Sequence, residues 1–123
     1  GGIASWYTGF SKSNQIAGPI NQVGAIRKLV RASNGKSFQE KMVYLDPSGY
    51  TLAYSHIKNG PVRETINQVR LSDLNNQSQC LATWGSTFRL KPDQTNDAKK
   101  IRGFFIAAFE KVLADLKSQA EST

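Results

Sequence analysis

Between Ala25 and Leu90 β-branched and aromatic residues alternate with polar ones, in runs broken by short clusters rich in Gly, Asn, Asp and Pro. A period of two marks strands with one face buried and one wet. Five strands are predicted, over residues 23–32, 38–45, 50–57, 62–71 and 79–90, with a shorter one at 15–17. The breaks between them, Ser33-Asn34-Gly35-Lys36, Asp46-Pro47-Ser48-Gly49, Lys58-Asn59-Gly60-Pro61 and Asp73-Leu74-Asn75-Asn76, supply residues that tolerate turn geometry. Connections this short force antiparallel neighbours, so the strands form a meander. After Pro92 the period becomes helical, with Ile101, Phe104, Phe105, Ala108, Val112 and Leu116 on one stripe that Phe109 and Leu113 widen. Asn96 or Asp97 suits the N-cap, and the helix should reach about Gln119. Gly103 inside it costs about 1 kcal/mol relative to Ala. Either a close approach of backbone, strand or ligand occurs at that turn, or the glycine is simply tolerated. Near the start, Trp6, Tyr7 and Phe10 suggest a short helix or turn with an aromatic face. Strands followed by one long amphipathic helix give an α+β class, a curved antiparallel sheet wrapped around the helix.

Because side chains alternate along a strand, the inward set can be named residue by residue. The first strand offers Val23, Ala25, Arg27 and Leu29; the second, Phe38, Glu40, Met42 and Tyr44; the third, Leu52, Tyr54 and His56. The fourth contributes Thr65, Asn67, Val69 and Leu71, and the fifth Ala82, Trp84, Ser86, Phe88 and Leu90. This wall is apolar except for Arg27, Glu40, Tyr54, His56, Thr65, Asn67 and Ser86. Burying an unpaired ion costs several kcal/mol, so such groups must pair, be wetted or face a ligand. A cavity meets all three conditions, and apolar walls with a few placed polar groups are the usual make-up of a small-molecule site. A plainer reading also stands, in which Arg27 and Glu40 form an ion pair that merely joins two strands, and His56 is a solvated residue near a strand end. Trp84 and the helix aromatics serve equally as core.

At 123 residues the chain is read as a single domain, 1–123, with one core. Its 39% hydrophobic and 20% charged content exclude disorder as an account of the whole. A formal charge of +7 raises nucleic acid or an anionic surface as partners. Residues 97–121 carry only +1 of it, and the remaining +6 is spread out. On a strand Lys28 points away from Arg27 and Arg31, so no phosphate-binding stripe forms and no nucleic acid is expected. Cys80 is the one cysteine, so no internal disulfide forms; it reads as a small buried hydrophobe in a strand. One His and one Cys make no zinc set, and no apolar run reaches the ~20 residues that would cross a bilayer. No Gly-x-Ser-x-Gly pattern of a covalent hydrolase is present.

Val23-Gly24-Ala25-Ile26-Arg27, Glu40 with Leu45-Asp46, Leu52-Ala53-Tyr54-Ser55, Trp84 with Phe88, and Gly103-Phe104-Phe105 together resemble the polyketide cyclase/dehydrase and lipid-transport branch of the START-like (SRPBCC) superfamily, over almost the whole chain. The resemblance implies a helix-grip fold, with seven strands in the family and about six here, closed over a ligand cavity. It implies that ~25 to 30 residues carrying a first strand precede Gly1 in the gene product, since a lost strand would leave an edge unpaired. It further implies that Arg27, Glu40, Tyr54, Thr65 and Asn67 contact a ligand, and that Trp6 and Phe10 fall where a small helix closes one side. The plant hormone receptors of this branch carry a Pro-containing gate loop where this chain has the tight turn Ser33-Asn34-Gly35-Lys36, which argues against gate closure here.

Three functions follow as expectations. In the first, a small hydrophobic ligand (lipid, polyketide or aromatic compound) lies along Trp84, Phe88, Phe105 and Ala108 beside Met42, with its polar end at Arg27 and Glu40. In the second, a cyclase, dehydratase or isomerase without cofactor uses Glu40 or His56 as acid or base while Arg27 steadies an oxyanion. In the third, the excess positive charge binds an anionic surface. No metal site or organic cofactor is expected, the compartment is expected to be cytoplasmic, and the protein is expected to be a monomer or homodimer.

Overall fold

A computed structural model describes residues 2–74 and 79–122. Six strands form one antiparallel sheet in chain order: β1 (Phe10–Ala17), β2 (Ile26–Arg31), β3 (Ser37–Asp46), β4 (Thr51–Lys58), β5 (Arg63–Asp73) and β6 (Cys80–Arg89). A 3-10 turn, Gly2–Ser5, precedes them and a second, Pro92–Gln94, leads into α1 (Ala98–Glu121). The predicted meander and the long terminal helix are both present. The turn proposed at residues 73–76 extends beyond the described residues.

Where the strands differ from expectation the reason is local. β1 starts at Phe10, well before the predicted 15–17, because Lys12, Ser13 and Asn14 have little strand signature although they pair with β2 as an edge strand, with Ser11 skipped by a register shift. Phe10 therefore belongs to a strand, and only Trp6 and Tyr7 lie in the aromatic turn before it. Val23 is 53% exposed, since residues 18–25 turn between strands and β2 begins only at Ile26. Tyr44 was placed inward and is 51% exposed. The cause is a register shift: Met42 pairs with Tyr54 but Tyr44 pairs with Ala53, so the extra residue Val43 reverses the alternation beyond it and Tyr44 shares the outer face with Ala53. Cys80 is exposed rather than buried, being the first residue of β6, whereas the rings of β6 that meet α1 come later, at Trp84 and Phe88.

The core gathers Ile3, Tyr7, Leu29, Phe38 and Val112, with Trp6, Phe10, Trp84 and Phe109 packed against it. α1 meets the sheet through rings: Trp84 on Phe109 (centroids 6.3 Å apart) and Phe88 on Phe105 (4.8 Å), both stacked. Its start is anchored from below. Lys91 Nζ donates to Gly60 O (2.8 Å), Gln94 Nε2 to Pro61 O (2.8 Å), and the Lys91 amide to Gln94 Oε1 (2.9 Å), which ties the β6–α1 connection to the β4–β5 turn. Further along, Asp115 accepts from both the amide (3.1 Å) and hydroxyl (3.0 Å) of Thr8. The helix is thus pinned at both ends of the sheet. A Cβ at Gly103 would meet nothing within 4 Å, so no close approach explains that glycine and it is simply tolerated.

Candidate functional site

Sheet and helix do not close completely, and between them lies a cavity of about 480 Å3. Its position follows from the strand alternation. Arg27 on β2 pairs with Glu40 on β3, and Glu40 pairs with His56 on β4, so three polar residues stand side by side across three strands on the concave face. The last of these pairings depends on an irregularity: Gln39 faces Lys58 but Glu40 faces His56, and the extra residue Ile57 brings the imidazole opposite the carboxylate. A second row, Met42, Tyr54, Asn67 and Ser86, crosses β3 to β6.

Glu40 is 4% exposed. Its Oε1 accepts from Arg27 Nε (2.9 Å) and lies 2.7 Å from Arg27 Nη2, and its Oε2 lies 3.2 Å from His56 Nε2. Charge-assisted contacts on both oxygens meet the requirement for a buried carboxylate. Arg27 also covers the Tyr54 ring at 5.6 Å. The ion pair of the plainer reading is present, and both of its members line the cavity. His56 is not a solvated end residue: its side chain is 8% exposed, its ring meets Phe38 edge-on, and its amide donates to Thr65 Oγ1 (2.8 Å). Gly60 is required behind it, because a Cβ there would lie 2.6 Å from that of His56.

Tyr54 Oη accepts from Trp84 Nε1 (2.9 Å). Burial, reinforced by the negative charge of Glu40, pushes the Tyr54 phenol far above its ordinary value of 10.0, so it remains neutral throughout the physiological range. The Tyr7 phenol is raised too, by burial first and then by Asp115. Among the described residues three buried side-chain oxygens and one nitrogen have no hydrogen-bond partner: Asn67 Oδ1 and His56 Nδ1 belong to lining residues, Ser86 Oγ and Ser13 Oγ to residues outside the lining.

Of the residues singled out in the sequence, Phe10, Arg27, Glu40, Tyr54, His56, Asn67, Trp84, Phe105 and Ala108 line the cavity together. Trp6, Met42, Thr65 and Phe88 do not. Thr65 holds the β4 backbone, Phe88 supports Phe105 from behind, and Trp6 packs on the core. The sequence reading missed Arg31, Phe38, Phe109 and Lys111 as lining residues. Phe38 shares the parity of Glu40, and Lys111 stands one turn from Ala108, so both positions carried a signal; the rim location of Arg31 and Lys111 depends on how far α1 extends over the sheet. No group of three metal-ligating side chains occurs among the described residues, and no described helix is long and apolar enough to cross a membrane.

The arrangement of six antiparallel strands in chain order, curved around one C-terminal helix, recurs in solved structures. Protein XoxI from Bacillus cereus superposes with a TM-score of 0.76 at 17% identity, over 95% of this chain and 77% of that one. Major latex-like protein 151 from Panax ginseng gives 0.75 at 11% identity, over 96% and 79%. The fold is the Bet v1-like helix-grip fold. Another helix-grip structure, a norcoclaurine synthase point mutant from Thalictrum flavum in complex with a transition-state analogue, gives 0.63 at 16% identity, over 96% and 79%. At such identities the likeness establishes the helix-grip architecture and nothing about chemistry. No protein-family model matches the sequence, and no curated protein matches it in sequence.

Proposed function

We propose that the protein binds a small, largely hydrophobic molecule in the cavity between sheet and α1. The observation that carries this reading is a hollow of about 480 Å3, walled by Phe10, Phe38, Trp84, Phe105 and Phe109, with a buried polar cluster at one side. Ligand sites span roughly 300–1,000 Å3 with this division of labour, apolar walls for affinity and few polar groups for orientation. A ligand that buries about 300 Å2 of apolar surface gains ~7 kcal/mol before the costs of immobilisation. The helix-grip neighbours include a synthase bound to a transition-state analogue, which supports a ligand-holding role for a fold of this kind. The residues assigned to the ligand are Phe10, Arg27, Glu40, Tyr54, Asn67, Trp84, Phe105 and Ala108; Trp6, Thr65 and Phe88 act through the residues they support, and Met42 is the ladder partner of Tyr54.

The test is binding of a fluorescent apolar probe, anilinonaphthalene sulfonate, to the native protein and to Ala108→Trp, which places an indole in the cavity. Binding that is saturable in the native protein and lost in a folded Ala108→Trp supports the reading. Equal binding by both refutes it.

A second reading is favoured by one observation, the contact of Glu40 with His56 at the cavity wall. A carboxylate and an imidazole facing an apolar hollow can move a proton at a carbon next to a carbonyl, and the resemblance to polyketide cyclase/dehydrase proteins points the same way. Both Glu40 oxygens are already engaged and His56 Nδ1 is buried without a partner, so in this reading the proton moves through the Glu40–His56 contact itself, which loses its imidazole in His56→Asn. His56→Asn in place of Glu40→Gln is therefore the sharper test; turnover by His56→Asn at the native rate would exclude this chemistry.

A further inference from the structure

The ligand's polarity can be read from the two ends of the cavity. At its inner end the polar lining residues include Glu40, 4% exposed, Asn67, 1% exposed, and Tyr54, 9% exposed. Glu40 offers only acceptors, and Asn67 Oδ1 is a buried acceptor with no partner. Beside Asn67 across the sheet, Ser86 Oγ is likewise buried and unpartnered. The one cation here, Arg27, is engaged by Glu40 through two nitrogens and carries no unbalanced charge to the ligand. Such a surface calls for a neutral hydroxyl, which both donates and accepts. Glu40 and Asn67 offer acceptors, the Tyr54 O–H is left to donate because its oxygen accepts from Trp84, and an anion would face the Glu40 carboxylate.

The more accessible lining residues mark the mouth, Lys111 exposed and Arg31 half-buried, and there the charge is of the other kind. Arg31, at the end of β2, sits over the Phe38 ring at 5.1 Å, and Lys111, on α1, sits over the Tyr7 ring at 5.8 Å. Both line the same cavity, and neither has a carboxylate at ion-pair distance among the described residues. Asp115, one turn beyond Lys111, is occupied by Thr8. The two cations are held in place by aromatic rings and have charge to spare.

We infer that the ligand is an amphipathic hydroxy acid bound with its carboxylate outward, between Arg31 and Lys111, and its hydroxyl inward, against Asn67, Tyr54 and Glu40. This rests on the proposed function and moves the charged end away from the position expected from the sequence, in which Arg27 and Glu40 meet the polar end. The determinant is pairing: a cation already neutralised by a buried carboxylate is a poor anion receptor, whereas two cations on rings at a wet rim are available.

The experiment compares four probes by displacement of anilinonaphthalene sulfonate: ω-hydroxylauric acid, its ω-methyl ether, its methyl ester and lauric acid. The hydroxy acid should bind tightest. Loss of the hydroxyl or its capping should weaken binding about three- to tenfold, the worth of one hydrogen bond. Esterification should weaken it about three- to fivefold, as expected for partly exposed ion pairs. Arg31→Gln/Lys111→Gln should abolish the acid-over-ester preference and keep the hydroxyl preference, and Asn67→Leu should do the reverse. Acid preference that survives Arg31→Gln/Lys111→Gln and disappears in Arg27→Gln would overturn the inference and place the carboxylate inside. Equal binding of all four probes that is still lost in Ala108→Trp would overturn it while leaving the cavity reading intact. Failure of every probe and of the fluorophore to bind would remove the cavity reading and the inference together.

Discussion

Replacing Arg27 with Met tests whether the polar row is structural as well as functional. The substitution keeps the stem of the side chain over Tyr54 and removes the guanidinium, leaving Glu40 buried with His56 as its remaining partner. Breaking a buried ion pair from one side costs about 3–5 kcal/mol, because the surviving charge is stranded. Arg27 is 26% exposed on its side chain, so water reaches part of the pair and the expected cost falls to about 2 kcal/mol. In a chain of this size that lowers Tm by about 8 °C. Urea unfolding of the native protein, Arg27→Met, Glu40→Leu and the double variant closes a thermodynamic cycle. The loss of the His56 contact is common to both Glu40→Leu proteins and cancels. The double variant should be more stable than the sum of the singles by about 1–2 kcal/mol. Additive singles, or an Arg27→Met protein within about 0.5 kcal/mol of native, would show that the pair is not desolvated and would refute the placement of Glu40 inside the molecule.

Other outcomes follow from the same structure. Leu29 is fully buried, and Leu29→Ala should cost about 2–5 kcal/mol in chemical denaturation, a loss below 1 kcal/mol contradicting its place in the core. Gly103→Ala should stabilise the helix by about 0.5–1 kcal/mol, since a Cβ there meets open space; a destabilised protein would reveal an unseen close approach. Above the ordinary phenol value of 10.0 the unfolded chain releases protons that Tyr54 and Tyr7 retain in the folded state, so stability should fall as pH rises past about 10 and be unaffected by these groups below it. Tyr54→Phe should flatten that alkaline decline, and a decline of unchanged steepness would mean that Tyr54 ionises freely when folded. Gly9→Ala should lower Tm and probe affinity together, because a Cβ at that position runs into the Tyr7 ring on the cavity wall. Native affinity with a lowered Tm would separate Tyr7 from the site.

The sequence made most of this architecture legible because the strands are half-buried. Thr65 and Asn67 are both 1% exposed, as parity alone required, and Glu40 faces the hollow for the same reason. Parity failed wherever the ladder gains a residue. Val43 reverses the alternation for Tyr44, and nothing in the local composition announces it, because a bulge is decided by pairing partners rather than by the bulged residue itself. The extra residue at Ile57 is equally silent, although it is what brings His56 to Glu40. The pattern shows only the last part of β1, since a polar edge strand looks like a loop. At the site, residue types on strands could be assigned a side, but the rim could not be drawn from the pattern. Arg31 and Lys111 are distant in sequence and share a cavity only because of where α1 lies.

The two ring stacks that fasten α1 to β6 separate two properties that are usually entangled. The hydrogen-bonded ladder sets the floor of the hollow, while its headroom depends on flat plates, Trp84 under Phe109 and Phe88 under Phe105. Exchange of one plate for a thinner or shorter residue would change which molecular outlines are admitted and leave every backbone bond of the ladder in place. Selectivity in such a scaffold can drift by single substitutions at the spacers, with the scaffold itself unaware of the change.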